Sequence, residues 1–343
     1  MSCDTISNFI FYIVLFGSTV FINKYVLSVL RFTYPTIYQG WQTLVGGLLL
    51  RLLLYKSSWL TVSPTPMDKA GFISLVPSFL FFVAGIVASS KALANLSIGM
   101  FLCLHNTLPS VLYLLDVFLN LRGSSSGGAV GEKSSSSGGD KSCSKCSVLA
   151  AVLVLLTAMA AVFMDLDITF SDSPYFWLVV SLLCVAVQRL HSRIADARYT
   201  EIDKLYFSYV FSVVVLAPAS LYLEEAFNVL DFPHASRLDF MGACLLVGVL
   251  ALVLSLHTIK VQEHQLFGKL DAVSKLLTSV ASVFVFEDQL SSEVMALLLL
   301  NLCFGLLVPY VSKTSTADST DDWPATAAED SDTEQLIQEQ TSS

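Results

Sequence analysis

Charge is scarce in this chain. Only 14% of its 343 residues are Asp, Glu, Lys or Arg, against 54% hydrophobic, and the mean hydropathy is +0.68. That is too little polarity to cover a domain of this size in water, so the apolar segments must meet lipid. Histidine is scarcer still, five in all. No HExxH pair and no nucleophile beside a base is present, which leaves hydrolytic chemistry without its usual residues. The seven cysteines are scattered, and Cys143 with Cys146 forms a lone CxxC without a second pair or a nearby histidine; that is not the ligand set of a zinc site. No cofactor, metal or nucleic-acid partner is expected. The chain reads as an integral membrane protein that is not an enzyme.

What is abundant is apolar sequence in lengths that cross a bilayer, about 20 residues each. Ten spans are expected, at 6 to 29, 35 to 55, 71 to 90, 98 to 120, 147 to 165, 174 to 190, 205 to 223, 240 to 259, 266 to 286 and 293 to 312. Asp4 with no preceding basic residue, before a span longer than a signal-peptide core, predicts that the N-terminus stays attached. Of the 19 Lys and Arg residues, Arg31, Lys91 and Arg237 fall on one side, Lys24 and Lys275 fall within spans, and all the others share a side with both chain ends. Both ends are therefore expected in the cytosol. The far side carries acidic clusters, Asp165 with Asp167 and Asp172, and Glu287 with Asp288 and Glu293. It also carries a glycosylation sequon at Asn95, which lies too close to the membrane to be modified.

Two segments are not spans. Residues 122 to 146, mostly Ser and Gly, read as a flexible cytosolic linker, and residues 313 to 343 read as a disordered acidic tail. This divides the chain into helices one to four over 1–121, the linker 122–146, helix five over 147–165, a C-terminal repeat over 174–312 and the tail 313–343. Ten spans split into five and five. An odd number per half makes the second half enter from the opposite side, so related halves are inverted repeats. Asn106 follows Lys91 by the same fifteen residues that separate Lys275 from Lys260. Inverted repeats serve transporters, which close one gate and open another around a site near the midplane.

Lys275 is the leading candidate for that site. A cation near the middle of a span costs roughly 2.5–3.5 kcal/mol on insertion scales and normally faces a partner, a cavity or a substrate path. Asp271 precedes it by four and shares its helical face, so the two either form a structural ion pair or present an ammonium to an anionic substrate. Other polar residues within spans are Asn23 and Lys24, for which snorkelling and phosphate attraction are both open; Gln39 and Gln42, expected to point into the bundle beside the close-contact Gly46 and Gly47; and His105 with Asn106. Tyr206, Phe207, Ser208 and Tyr209 open span seven as aromatic platforms on which a base could stack.

These residues carry a resemblance. The run from Asp271 to Lys275 (DAVSK) looks like the GALNK motif of Golgi GDP-mannose transporters. Asn23-Lys24, Ser89 to Leu93 (SSKAL), Pro174 to Trp177 (PYFW) and Val285 to Glu287 match further family pieces in order. The run from Asn23 to Leu50 is similar to the transmembrane protein 241 group of nucleotide-sugar transporters. The resemblance implies the drug/metabolite transporter fold, an all-α membrane protein of ten helices in two inverted five-helix repeats. It also implies exchange of a cytosolic nucleotide sugar for lumenal nucleoside monophosphate across the Golgi membrane. It points to Lys275, Ser274, Asp271, Phe267, Tyr206, Phe207, Ser208, Tyr209, Asn106, His105, Asn23 and Lys24 as substrate-binding residues. Where the GDP-mannose carriers have FYNN, this chain has Tyr206-Phe207-Ser208-Tyr209. Without the two amides a guanine edge loses partners worth roughly 1–3 kcal/mol each. A UDP sugar is expected, UDP-N-acetylglucosamine first. GDP-mannose or triose-phosphate-like carriage, a non-transporting scaffold, and an intramembrane enzyme using His105 with Asp116 or Asp271 are the alternatives. Asp332 with Leu336 and Ile337 resembles an acidic dileucine signal for cytosolic adaptors, and a homodimer is left open.

Overall fold

The computed structural model describes residues 3–56, 68–126, 138–165, 174–194, 199–235, 237–264, 266–286 and 291–309, and among them all regular structure is helical. Contacts divide the chain into a helical unit, Met1–Val311, and the tail, Ser312–Ser343. Residues 127–137, Asp167, Asp172, Glu287, Asp288 and the tail with Asp332, Leu336 and Ile337 lie outside the described residues.

Each expected span coincides with helix. In chain order these are α1 (Cys3–Lys24), continued by a π-helical turn over Tyr25–Val29, α2 (Pro35–Lys56), α3 (Lys69–Asn95), α4 (Ile98–His105), α5 (Thr107–Ser126), α6 (Gly138–Met164), α7 (Pro174–Ile194), α8 (Glu201–Tyr222), the short α9 (Glu225–Asn228), α10 (Leu238–Val261), α11 (Phe267–Phe286) and α12 (Ser292–Gly305). Seven helical segments are long and apolar enough to cross a membrane: Thr5–Val29, Lys69–Asn95, Ile98–Leu119, Lys145–Met164, Pro174–Ser192, Glu201–Tyr222 and Leu238–Val261. This is a multi-pass membrane protein. Of the remaining three expected spans, α2 is diluted by Gln39, Gln42 and Arg51, α11 by Lys269, Asp271 and Lys275, and α12 is 14 residues long.

Two differences from the expected boundaries have consequences for the site and the linker. The fourth span is broken at Asn106 between α4 and α5, because Pro109 has no N–H to give the carbonyl of His105 and its ring crowds that turn. Helix also enters the Ser/Gly linker from both ends, to Ser126 and from Gly138.

Local signals set the helix starts. Asp68 caps α3 by accepting from the Gly71 N–H at 2.8 Å, and the Tyr199 hydroxyl donates to the same carboxylate at 2.8 Å. Thr200 and Asp203 form a capping box on α8. Such caps satisfy orphan donors of the first turn. At the other end of the bundle the N-terminus of α2 is capped from a distance, since Glu225 Oε2 accepts from the Thr36 and Ile37 N–H groups at 3.0 and 3.1 Å.

Helix α3 lies along α7, α2 along α8 and α10, α6 along α12, and α1 against α10 and α11. Glycine sets two of these distances, since a Cβ on Gly46 would stand 2.8 Å from the Tyr209 ring and one on Gly248 2.8 Å from Val45. The largest core cluster gathers Val26, Phe32, Tyr38, Leu93, Ile98, Met100 and Phe240. In and beside it the rings of Phe32, Tyr34, Phe232 and Phe240 meet edge to face or tilted.

Candidate functional site

Phe267, Asp271 and Lys275 follow one another at four-residue intervals, so they line one stripe of α11. That stripe faces a cavity of about 410 Å³ whose walls come from α1 (Tyr12, Phe16, Val20), α3 (Ser89), α4 and α5 (Phe101, His105, Pro109), α7 (Val185, Arg189) and α10 (Leu254, Ser255, Thr258). Lys275 is only 7% exposed. Its Nζ donates to Asp271 Oδ2 at 2.6 Å, and Tyr12 donates its hydroxyl to Asp271 Oδ1 at 3.4 Å. The structural pair foreseen from the spacing is therefore formed, and it lines a cavity. Arg189, an exposed residue, stands in the wall as a second cation.

Two full positive charges against one carboxylate leave the lining cationic. An anion there would gain on the order of 4 kcal/mol per unit charge at 4 Å for an effective dielectric near 20. Aromatic faces surround the charges. Tyr12 contacts Phe16, His257 and Phe267, and Phe101 meets the His105 ring at 4.4 Å. Among the described residues the buried His105 Nε2 has no hydrogen-bond partner, a polar atom in a residue that lines the cavity. Hydroxyls of Ser89, Ser255 and Thr258 complete the polar lining. The arrangement suits an anion joined to a planar ring and a polyhydroxylated group.

Of the twelve residues singled out from sequence, the structure brings four to this cavity: Lys275, Asp271, Phe267 and His105. Ser274 is fully buried on the neighbouring face of α11 and returns its hydroxyl to the Leu270 carbonyl at 2.7 Å. Asn106 is not among the residues that line this cavity. Its Nδ2 donates to the carbonyl and Oδ1 of Asn301, both at 3.1 Å, and Asn301 passes the chain on to Val154 O and Thr157 Oγ1 at 2.7 and 3.1 Å. This amide relay ties the junction of α4 and α5 to α12 and α6, with room left by Gly305, where a Cβ would overlap the Asn106 amide.

Lys24 neither snorkels nor faces the cavity. It is 6% exposed, and its Nζ donates to the carbonyls of Leu93, Ala94 and Leu96 at 3.0, 3.5 and 2.7 Å. The last carbonyls of α3 have no intrahelical donors and form the negative pole of that helix, which a cation satisfies. Asn23 accepts from the Tyr38 hydroxyl and Gln42 Nε2, both at 3.0 Å, and Gln39 donates to Ser90. The glutamines do point into the bundle.

Tyr206, Phe207, Ser208 and Tyr209 do not line the cavity either. The capping box fixes where α8 begins, and its aromatic turn then faces α2, α3 and α10. Tyr209 sits against Leu50 and Leu252, Phe207 packs beside Leu75, Phe79 and Tyr199, and Ser208 lines a separate cavity of about 160 Å³. The Tyr209 hydroxyl reaches Ser255 Oγ at 3.4 Å, so α8 touches the lining of the main cavity at second hand. The residues missed from sequence are Arg189, Tyr12, Ser255 and Thr258. Arg189 is the second-last residue of the expected span 174 to 190 and counts with the basic residues on the side of the chain ends, so no mid-span signal of the kind that singles out Lys275 marks it.

A multi-pass helical bundle with a cationic, aromatic-walled cavity inside it is the build of a carrier for small organic anions. No family model matches the chain. The UDP-N-acetylglucosamine transporter TMEM241 of Mus musculus is 34% identical over 284 residues, 81% of this chain and 87% of that protein. The UDP-N-acetylglucosamine transporter TMEM241 homolog of Xenopus laevis is 32% identical over 278 residues, 80% of this chain and 86% of its own length. The chain belongs to the TMEM241 family, a group of nucleotide-sugar transporters.

Proposed function

We propose that this protein imports a UDP sugar, UDP-N-acetylglucosamine first, into the Golgi lumen in exchange for nucleoside monophosphate, by alternating access. The observation that carries the reading is the Lys275 ammonium in the wall of a cavity that Arg189 and several aromatic rings also line. The diphosphate lies between the two cations, and Asp271 competes for Lys275 so that the substrate is not held permanently. The uracil ring stacks among Tyr12, Phe16 and Phe267, which takes over the task expected of the α8 aromatics. The sugar hydroxyls meet Ser89, Ser255 and Thr258. The two relatives, both named as UDP-N-acetylglucosamine transporters, support the choice of sugar.

Ten crossings in two inverted halves support alternating access, and helix neighbours favour them. Matching the first five spans to the last five pairs α1 with α7, α2 with α8, α3 with α10, α4 and α5 with α11, and α6 with α12. Exchanging the members of each pair turns the α3–α7 contact into α10–α1, α2–α10 into α8–α3, and α5–α6 into α11–α12, all of which occur. On this reading 1–121 and helix five, joined to each other by the cytosolic linker, form one repeat and 174–312 the other, and both chain ends are cytosolic. Asp332, Leu336 and Ile337 serve as the sorting signal. Only a difference in affinity between the two facing states drives exchange; nucleotide sugar at one face and monophosphate at the other supply it.

Counterflow across a panel of nucleotide sugars tests the substrate. Purified protein in liposomes loaded with each unlabelled sugar should accumulate labelled UDP-N-acetylglucosamine best from its own kind and other uridine sugars. Preferential exchange with GDP-mannose would overturn the assignment.

A further inference from the structure

The end of the bundle opposite Tyr12 and Phe267 holds a second cavity, of about 600 Å³, lined among others by Ser28, Arg31, Lys91, Asn95 and Trp177. Its volume lies in the range of about 300–1,000 Å³ typical of small-molecule sites. The two cavities are stacked along shared helices. Ser89 lines one and its neighbour Ser90 the other, while Trp177 and Arg189 stand at opposite ends of α7. Twelve residues of helix place them roughly 18 Å apart.

The basic residues at this end are few, and two of them converge. Arg31, Lys91 and Arg237 are the basic residues that the sequence places there, and Arg237 is neutralised by Asp239 at 2.8 Å. The other two line the cavity, and among the described residues neither forms an ion pair. Backbone geometry commits Arg31 to its place, since it holds φ 54° in the left-handed region where a non-glycine residue costs energy. Lys91 Nζ sits 4.1 Å from the centroid of the Trp177 ring, which places the ammonium against one aromatic face. On the reading of inverted halves, the exchange that relates α1, α3 and α7 to α7, α10 and α1 takes helices that line this cavity to helices that line the Lys275 cavity.

We infer that this second cavity is a binding vestibule for nucleoside monophosphate on the far side of the membrane, resting on the antiport reading above. A phosphate monoester carries about −1.5 to −2 charge near neutral pH, which two cations match. Arg31 takes it with its planar fork and Lys91 as a point charge. The base stacks on Trp177, a contact that tolerates any base. The vestibule therefore concentrates the exchange partner at the lumenal mouth without choosing among nucleotides, and selectivity stays with the Lys275 cavity.

Tryptophan fluorescence of the purified full-length protein, titrated with uridine monophosphate in uncharged detergent, tests this apart from transport. Saturable quenching is expected, lost in Trp177→Phe, weakened at least tenfold in Arg31→Gln/Lys91→Gln, retained in Arg31→Lys/Lys91→Arg and in Lys275→Ala, and similar with guanosine monophosphate. Quenching that survives in Trp177→Phe or in the double glutamine variant overturns the vestibule. So does quenching that disappears in Lys275→Ala, or a response to phosphatidic acid with none to the nucleotide. Counterflow by the unaltered protein reports separately on the antiport reading. If the nucleotide sugar exchanges normally while the variants leave quenching unchanged, the vestibule fails and the transporter stands; if quenching follows the expected pattern without counterflow, the antiport reading fails.

Discussion

Removing the Lys275 ammonium is the perturbation with the most to say about the cavity. In Lys275→Met the side chain keeps its length and loses its charge. A hydrogen bond to a charged group contributes about 1.5–3 kcal/mol, so losing one to the substrate diphosphate weakens binding by roughly 10- to 150-fold. The cost to folding should be smaller than the 3–5 kcal/mol of breaking a fully buried pair. Asp271 retains 21% side-chain exposure, and the Tyr12 hydroxyl still reaches it, so the orphaned carboxylate is partly solvated. Thermal melting of the purified variant, followed by uptake of labelled UDP-N-acetylglucosamine at a series of concentrations, separates the two effects. The expected outcome is a modestly lowered melting temperature and a half-saturation raised by at least tenfold, or no uptake at all. Lys275→Arg keeps the charge and should recover part of the function. Wild-type uptake by a well-folded Lys275→Met protein would refute the reasoning.

Further outcomes follow from other contacts. Arg189→Gln, which leaves the Lys275–Asp271 pair untouched, should raise the half-saturation for nucleotide sugar several-fold with no change in melting temperature. Lys24→Met leaves the end of α3 without a donor that three carbonyls share; a loss of about 1–3 kcal/mol of stability, read by denaturation, is expected with substrate affinity unchanged in the folded fraction. Gly46→Ala places a methyl 2.8 Å from the Tyr209 ring and should cost about 1–3 kcal/mol by overpacking, relieved when Tyr209→Ala is added.

What could be read from the chain itself was what local spacing decides. Lys275, Asp271 and Phe267 share a stripe because helical periodicity demands it, and their common cavity follows once any neighbours pack on that face. The apolar runs announced the helices, but span counting ran straight through the break that lies just before Pro109. Partners contributed by other helices were not legible. Arg189 and Tyr12 reach the site only because α7 and α1 pack on either side of it, and nothing within their own segments fixes that direction. The aromatic turn of α8 misled for the same reason. Its rings have the right chemistry for a base, but the phase set at Thr200 and Asp203 and the groove opened by Gly46 turn Tyr209 toward α2. Lys24 shows the converse, a cation in a span whose task is to satisfy backbone, indistinguishable by sequence from one that meets a ligand. Asn106 likewise spends its amide on Asn301, 195 residues away.

Liposome exchange bears most directly on the central claim. Reconstituted protein in vesicles loaded with uridine monophosphate should accumulate labelled UDP-N-acetylglucosamine, and the same protein in empty vesicles should not. Equal accumulation in both, or none in either from protein shown to be folded, would contradict an exchanger built around the Lys275 cavity.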